Sequence, residues 1–216
     1  MKPPFANRTE AGRTLAGLLA SYTDDPDVVV LALPRGGLPV GFEIARRLGA
    51  PLEVIVVRKI GVPGHEQLAL GAIASGGFRV VNPEVRSSID ISGEALEMLI
   101  AREQQELERR ERIYRGGRPL RALEDKVAIL VDDGIATGAT MNVAILAVRS
   151  QKPRKVIIAT PVIASDTMVE MRSHADEVVA VMVPCLFSSV GEWYDDFSQL
   201  DDETVCSTLA EIRRQT

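Results

Sequence analysis

Five short, unbroken runs of β-branched and aliphatic residues recur along the chain, at Val28 to Leu33, Val54 to Val57, Val127 to Val131, Val156 to Thr160 and Val178 to Val183. A strand with one face in water alternates polar with apolar residues, whereas a continuous run marks a strand covered on both faces. Helical segments sit between the runs: Leu38 to Leu48 follows the first, Thr140 to Arg149 the third and Asp166 to Ser173 the fourth. That alternation predicts an α/β fold, a parallel sheet with crossover helices. With 216 residues, 46% hydrophobic and 25% charged, the chain can bury roughly 70% of its unfolded surface. No repeat, low-complexity tract or clear linker divides it, so a single domain over residues 1–216 is expected.

The third run leads straight into Asp132 and Asp133, then Gly134, Ile135, Ala136, Thr137, Gly138, Ala139 and Thr140, then an apolar helix. A small-residue turn at a helix start frees backbone N–H groups where the helix dipole favours an anion. Thr137 and Thr140 add hydroxyl donors. The two carboxylates repel a phosphate but suit the hydroxyls of a sugar attached to it, or a hydrated magnesium ion. An ordinary strand-to-helix turn accounts for the glycines, but not for paired acids and paired threonines together. The string therefore reads as a sugar-phosphate site.

This layout resembles the binding motif of the type I phosphoribosyltransferases for phosphoribosyl pyrophosphate (PRPP). The resemblance implies a parallel-sheet core with helices on both faces and a small variable hood, with hood or lid segments near 60–81 and 184–200. It implies that residues 134–140 hold the 5-phosphate and that Asp132 and Asp133 meet the ribose and, through water, Mg2+. The small-residue loop Arg35-Gly36-Gly37 after the first run matches the family's pyrophosphate loop: Arg35 supplies charge, and Gly36 and Gly37 let backbone N–H groups approach. Arg58 and Lys59 close the second run, at the strand end where ligands of open α/β sheets gather, and two cations there suit a diphosphate. The Gly- and Pro-punctuated segment Ile60 to Leu68 resembles the family's mobile loop, with His65 or Glu66 as proton-handling candidates. Trp193 and Tyr194, in a chain only 4% aromatic, are candidates to stack on a planar acceptor in the hood.

The activity so implied is transfer of a 5-phosphoribosyl group from PRPP to a nitrogen nucleophile, a nucleobase-like heterocycle, with release of pyrophosphate. A non-catalytic PRPP-sensing protein is the alternative. Some 6-oxopurine enzymes of the family carry a carboxylate immediately before the Thr-Gly step. Ala136 stands there, so a side-chain base at that position is excluded, and adenine remains a candidate. The strings around Val57 to Gly64, Leu70 to Ala74 and Trp193 to Phe197 resemble a bacterial subfamily usually named only by its domain.

A net charge of −5 gives no general pull toward nucleic acid or acidic membranes. No apolar run approaches a membrane span of roughly 18 residues and Met1 to Arg8 holds no signal-peptide core, which predicts a cytoplasmic protein. Two histidines, His65 and His174, and two distant cysteines, Cys185 and Cys206, lack the spacing of a structural zinc site, and the cysteines read as two buried thiols. Ser92 is expected to cap a long helix stopping at Gly116-Gly117. Its apolar stripe lies beside many Arg and Glu residues and suggests a solvated face, with a subunit interface of a homodimer as the other reading. Leu70 to Ile73 and Phe78 to Val81 read as a hairpin, and Asp201 as the cap of a closing helix bearing Val205, Leu209 and Ile212.

Overall fold

The aliphatic runs become strands because only a sheet buried on both faces lets every residue of such a run leave water. In the computed structural model, which describes residues 4–89 and 91–215, the chain passes through α1 (Arg8–Leu18), β1 (Val28–Ala32), α2 (Gly37–Leu48), β2 (Leu52–Val54), β3 (Val57–Val62), β4 (His65–Ala74) and β5 (Phe78–Val81). It continues through α3 (Pro83–Ser88), α4 (Gly93–Arg115), β6 (Val127–Val131), α5 (Ala139–Arg149), β7 (Lys155–Val162), α6 (Ser165–His174), β8 (Glu177–Met182) and α7 (Asp202–Gln215). Five strands pair in parallel in the order β2-β1-β6-β7-β8, giving the expected α/β fold.

β1 and β6 are buried at every residue and run in register from Val28 opposite Val127 to Ala32 opposite Val131. The pleat divides their side chains. Val28, Val30 and Ala32 pack with Leu15 and Leu19 and with Leu38 and Ile44 of α2, while Val29 and Leu31 pack with Met141, Ile145 and Val148 of α5 and Met171 of α6. Burying a Val or Leu side chain contributes about 1.5–3 kcal/mol, so this double layer is the rigid part of the molecule.

The run Val54 to Val57 is not one strand. β2 stops at Val54, Ile55 and Val56 cross over, and Val57 opens β3 in a separate antiparallel sheet of order β3-β4-β5. All of residues 54–56 are buried in both settings, so the change of sheet leaves no mark in hydropathy. Residues 70–81 form the expected hairpin, Gly71 opposite Val81 and Ala74 opposite Phe78. The segment read as a loop, residues 60–68, is the end of another hairpin: Val62 faces His65 across Pro63 and Gly64, with Gly64 at φ +78°.

α4 begins at Ser92, whose Oγ accepts from Ala95 N–H at 3.1 Å, and ends at Gly116 with φ +63°. Its Leu96, Ile100, Leu107 and Tyr114 are buried, so the stripe faces the core, while Glu106, Arg109 and Arg110 pair outside. At its end the buried Arg115 donates to Ser75 Oγ at 2.6 Å and to Val54 O at 3.0 Å, and Val56 N–H also donates to Ser75 Oγ at 2.9 Å. One polar node thus joins β2, the β4–β5 turn and α4. In α7, Val205 and Leu209 are buried; the side chain of Ile212 lies outside the described residues. Both cysteines are free, but Cys185 is exposed and Cys206 half-buried, because Cys185 lies on the segment after β8 next to the 91% exposed Leu186. No described helix is long and apolar enough to cross a membrane.

Candidate active site

From β1 the chain moves outward to β2, and from β6 it moves the other way to β7. The loops leaving the carboxyl ends of β1 and β6 therefore diverge and leave a crevice, where open α/β sheets bind ligands. Loop 34–37, which contains a cis peptide between Pro34 and Arg35, closes against the acid pair. A Cβ on Gly36 would lie 2.0 Å from Asp133 Oδ2, and one on Gly37 would lie 2.5 Å from Val131 O. Only bare backbone fits there. The glycines read as an anion cradle also permit this contact, and the Arg35 side chain stands exposed at the rim.

The turn after β6 is anchored on its outer side. Ile135, 3% exposed, bridges to Ile163, donates from its N–H to Val162 O at 2.9 Å and accepts from Ala164 N–H at 3.1 Å. Thr167 Oγ1 donates to Ala136 O. The inner side is open, with Ala136, Thr137, Ala139 and Thr140 exposed. Gly138 at φ +71° turns the chain into α5, whose first turn receives no side-chain cap. The amides that a cap would satisfy border a cavity of about 190 Å3 lined by Asp132, residues 134–141 and Val190. Uncapped donors at a helix start in a small open cavity form an anion site.

The acids lie side by side. Asp132 Oδ1 accepts from Asp133 N–H at 2.9 Å, and Asp133 Oδ2 accepts from Arg8 Nε at 2.7 Å. Burial, then the neighbouring charge of Asp133, push the Asp132 carboxyl well above the usual carboxylate range. Tyr194 donates its hydroxyl to Asp133 O at 2.5 Å, and burial raises its phenol. Arg8, Val190 and Thr167 escaped the sequence reading, since they reach the site only through tertiary packing. Among the described residues no three His, Cys, Asp or Glu side chains gather to hold a metal.

Two expectations change. Arg58 and Lys59 do not end a strand of the parallel sheet and do not converge: as β-strand neighbours they project to opposite faces. Arg58 pairs with Glu103 of α4 at 2.6 Å, while Lys59 lines a cavity of about 550 Å3 between the small sheet and the start of α5, with Ala139 and Thr140 in its wall. His65 is exposed beside the Pro63-Gly64 turn, at the tip of the hairpin; the side chain of Glu66 lies outside the described residues. Tyr194 is 4% exposed, packed between Phe5 and Phe197, so its ring supports the acid loop from beneath and offers no face to an acceptor. Trp193 is half-buried and stacks on Phe187 at 6.3 Å between centroids.

A strand-end acid pair, an uncapped helix start and a bare glycine loop meet at one switch point. The chain belongs to the phosphoribosyl transferase domain family, whose model matches residues 7–186. It is 42% identical over 210 residues to two Mycobacterium tuberculosis proteins provisionally named phosphoribosyl transferases, MT0597 of strain CDC 1551 / Oshkosh and Rv0571c of strain ATCC 25618 / H37Rv. The match takes in 97% of this chain and 47% of each relative, so the chain spans about half their length. The crystal structure of TT1426 from Thermus thermophilus is 42% identical and superposes with a TM-score of 0.82, covering 96% of this chain and 98% of that one.

Proposed function

We propose that this chain transfers the 5-phosphoribosyl group of PRPP to a nitrogen nucleophile, with release of pyrophosphate. The observation that carries the reading is the juxtaposition of the uncapped start of α5 with Asp132 and Asp133 across from loop 34–37. The 5-phosphate takes the α5 amides with Thr137 and Thr140, the ribose hydroxyls take the acids, and the diphosphate lies along residues 35–37. As the bond at the anomeric carbon breaks, positive charge develops on the sugar, where the acids stabilise it. Arg35 at the rim of loop 34–37 and Lys59, on the face of β3 toward α5, are the cations placed for the departing diphosphate; Arg58 pairs with Glu103 of α4.

Two adjacent carboxylates without a third protein ligand among the described residues suit Mg2+, which keeps several waters and takes its remaining oxygens from the substrate. Such an ion, held by Asp132 and Asp133 through water, would neutralise diphosphate charge. For the acceptor we propose a planar nitrogen heterocycle bordered by residues 184–193. Trp193 supports this placement: its Nε1–H is buried without an acceptor among the described residues.

The test offers the purified protein PRPP, Mg2+ and a panel of nucleobases and related heterocycles, and measures pyrophosphate. Release that depends on one acceptor is the expected result. At about a hundred times its dissociation constant PRPP should also stabilise the fold by roughly 2.7 kcal/mol. A melting temperature untouched by millimolar PRPP, with no pyrophosphate from any acceptor, overturns the reading.

A further inference from the structure

We infer that Arg8 is the positioning residue for Asp133, clamping one carboxylate oxygen so that the other is presented to a ribose hydroxyl; the inference rests on the PRPP reading above. Arg8 opens α1, 125 residues away from Asp133 in the chain. Its Nε donates to Asp133 Oδ2 at 2.7 Å, its Nη1 donates to Ser198 O at 3.0 Å, and its guanidinium carbon stands 3.8 Å from the centre of the Phe197 ring. The fork is thus held by a carboxylate, a carbonyl and an aromatic face at once, contacts a lysine cannot make together.

The pair is shielded, with side chains 11% and 13% exposed, so it is not an ordinary surface ion pair of small worth. The carboxylate also lies against Gly36, where a Cβ would stand 2.0 Å from Oδ2 and 2.8 Å from Oδ1, so Arg8 and the bare backbone together fix its plane. The main chain of Asp133 is fixed by Tyr194, and the Tyr194 segment is clasped to the residues just before Arg8: Phe5 N–H donates to Trp193 O at 3.3 Å, Asp195 N–H to Phe5 O at 2.8 Å and Asp196 N–H to Ala6 O at 2.9 Å. Backbone and carboxylate of one acid are therefore held by a single built unit, residues 5–8 with 193–198. Among the described residues, Arg8 touches neither the phosphate turn nor loop 34–37 by any hydrogen bond or ion pair. Its effect on ligand passes through Asp133.

Two probes separate this role from simple packing. Inorganic phosphate needs only the turn after β6, whereas ribose 5-phosphate adds the hydroxyls that meet the acids. Calorimetry on the wild type should show ribose 5-phosphate preferred over phosphate. Arg8→Gln should weaken ribose 5-phosphate by about tenfold, the scale of a lost hydrogen bond to a charged group, and leave phosphate unchanged. Arg8→Lys keeps the charge without the fixed fork and should fall between, about threefold down; it decides the matter alone if Arg8→Gln does not fold. Equal weakening of both probes means the clasp merely packs, and unchanged or tighter ribose 5-phosphate binding means Arg8 competes with the ribose; either result overturns the inference while the PRPP reading stands. A wild type that binds neither probe nor PRPP overturns the PRPP reading and this inference with it.

Discussion

The two sheets that flank the crevice are built on opposite terms. β1 and β6 are buried along their whole length, pinned on both faces, and deliver their following loops to within a van der Waals contact of each other. The three-stranded sheet has one face on α4, keeps Lys59 and His65 in solvent, and ends in an exposed Pro63-Gly64 turn. A buried strand spends its packing on holding atoms still, which is what a site that must stabilise charge needs. A half-exposed hairpin has little to lose by bending, which is what a cover needs. On the proposed function, the difference assigns chemistry to the first sheet and closure to the second.

The strongest way to break that division is to remove charge from the first sheet alone. Asp132→Asn and Asp133→Asn should each lower pyrophosphate release by about 10²–10³-fold, as loss of a charge-stabilising group does, while circular dichroism shows both folded. Since the fold disfavours the ionised form of Asp132, its charge destabilises the protein at neutral pH, and Asp132→Asn should melt above the wild type. Arg115→Met attacks the joint between the sheets: it removes one of the two donors to Ser75 Oγ, a donor to Val54 O and the cation paired with Glu111. Urea unfolding should report a loss of about 3 kcal/mol, with amides of β3–β5 exchanging before those of β6; uniform exchange would mean the sheets open as one.

Gly36→Ala places a methyl on Asp133 and must displace the loop or the acid. It should cost about 1–3 kcal/mol of stability and weaken PRPP more than phosphate. A silent variant would show loop 34–37 free to retreat. Hydrogen exchange at residues 61–68 should slow with PRPP, Mg2+ and an acceptor analogue, and β6 should not change; equal rates in both states would make the hairpin a fixed wall. The smallest effect lies outside both sheets. Arg109 and then Arg110 hold Glu106 down to about 2 from its ordinary 4.5, so these pairs stabilise the fold above pH 4.5 and fade as pH falls through 2. Because they are largely solvated, Glu106→Gln should alter the acid limb of an unfolding curve only slightly.

What could be read from sequence was what neighbours in sequence decide. Ser92 and Gly116 bound α4 because capping is settled within one turn, and the string from Val127 to Thr140 announces strand, acids, turn and helix in order. The change of sheet at Ile55 and Val56 was hidden, for an apolar run looks the same inside one core or across two. That error carried Arg58 to the wrong place, since a cation's direction follows the pairing of its strand. Arg8 was invisible for another reason: its partner lies 125 residues on, and nothing near it hints at an acid. Tyr194 stood out as an aromatic, but whether a ring offers a face or a hydroxyl depends on what covers it, and here Phe5 and Phe197 do.

On the proposed function, the adjacency of Asp132 and Asp133 sets function and folding against each other at a single peptide. An amide at position 132 would relieve the burial that disfavours the carboxylate and still offer an oxygen to Asp133 N–H. Both acids are kept, on that reading, because the ribose needs them, whatever their burial takes from stability. The two positions are therefore unequal: the acid at 132 can be changed without touching loop 34–37, whereas the glycine at 36 and the carboxylate at 133 are shaped around each other.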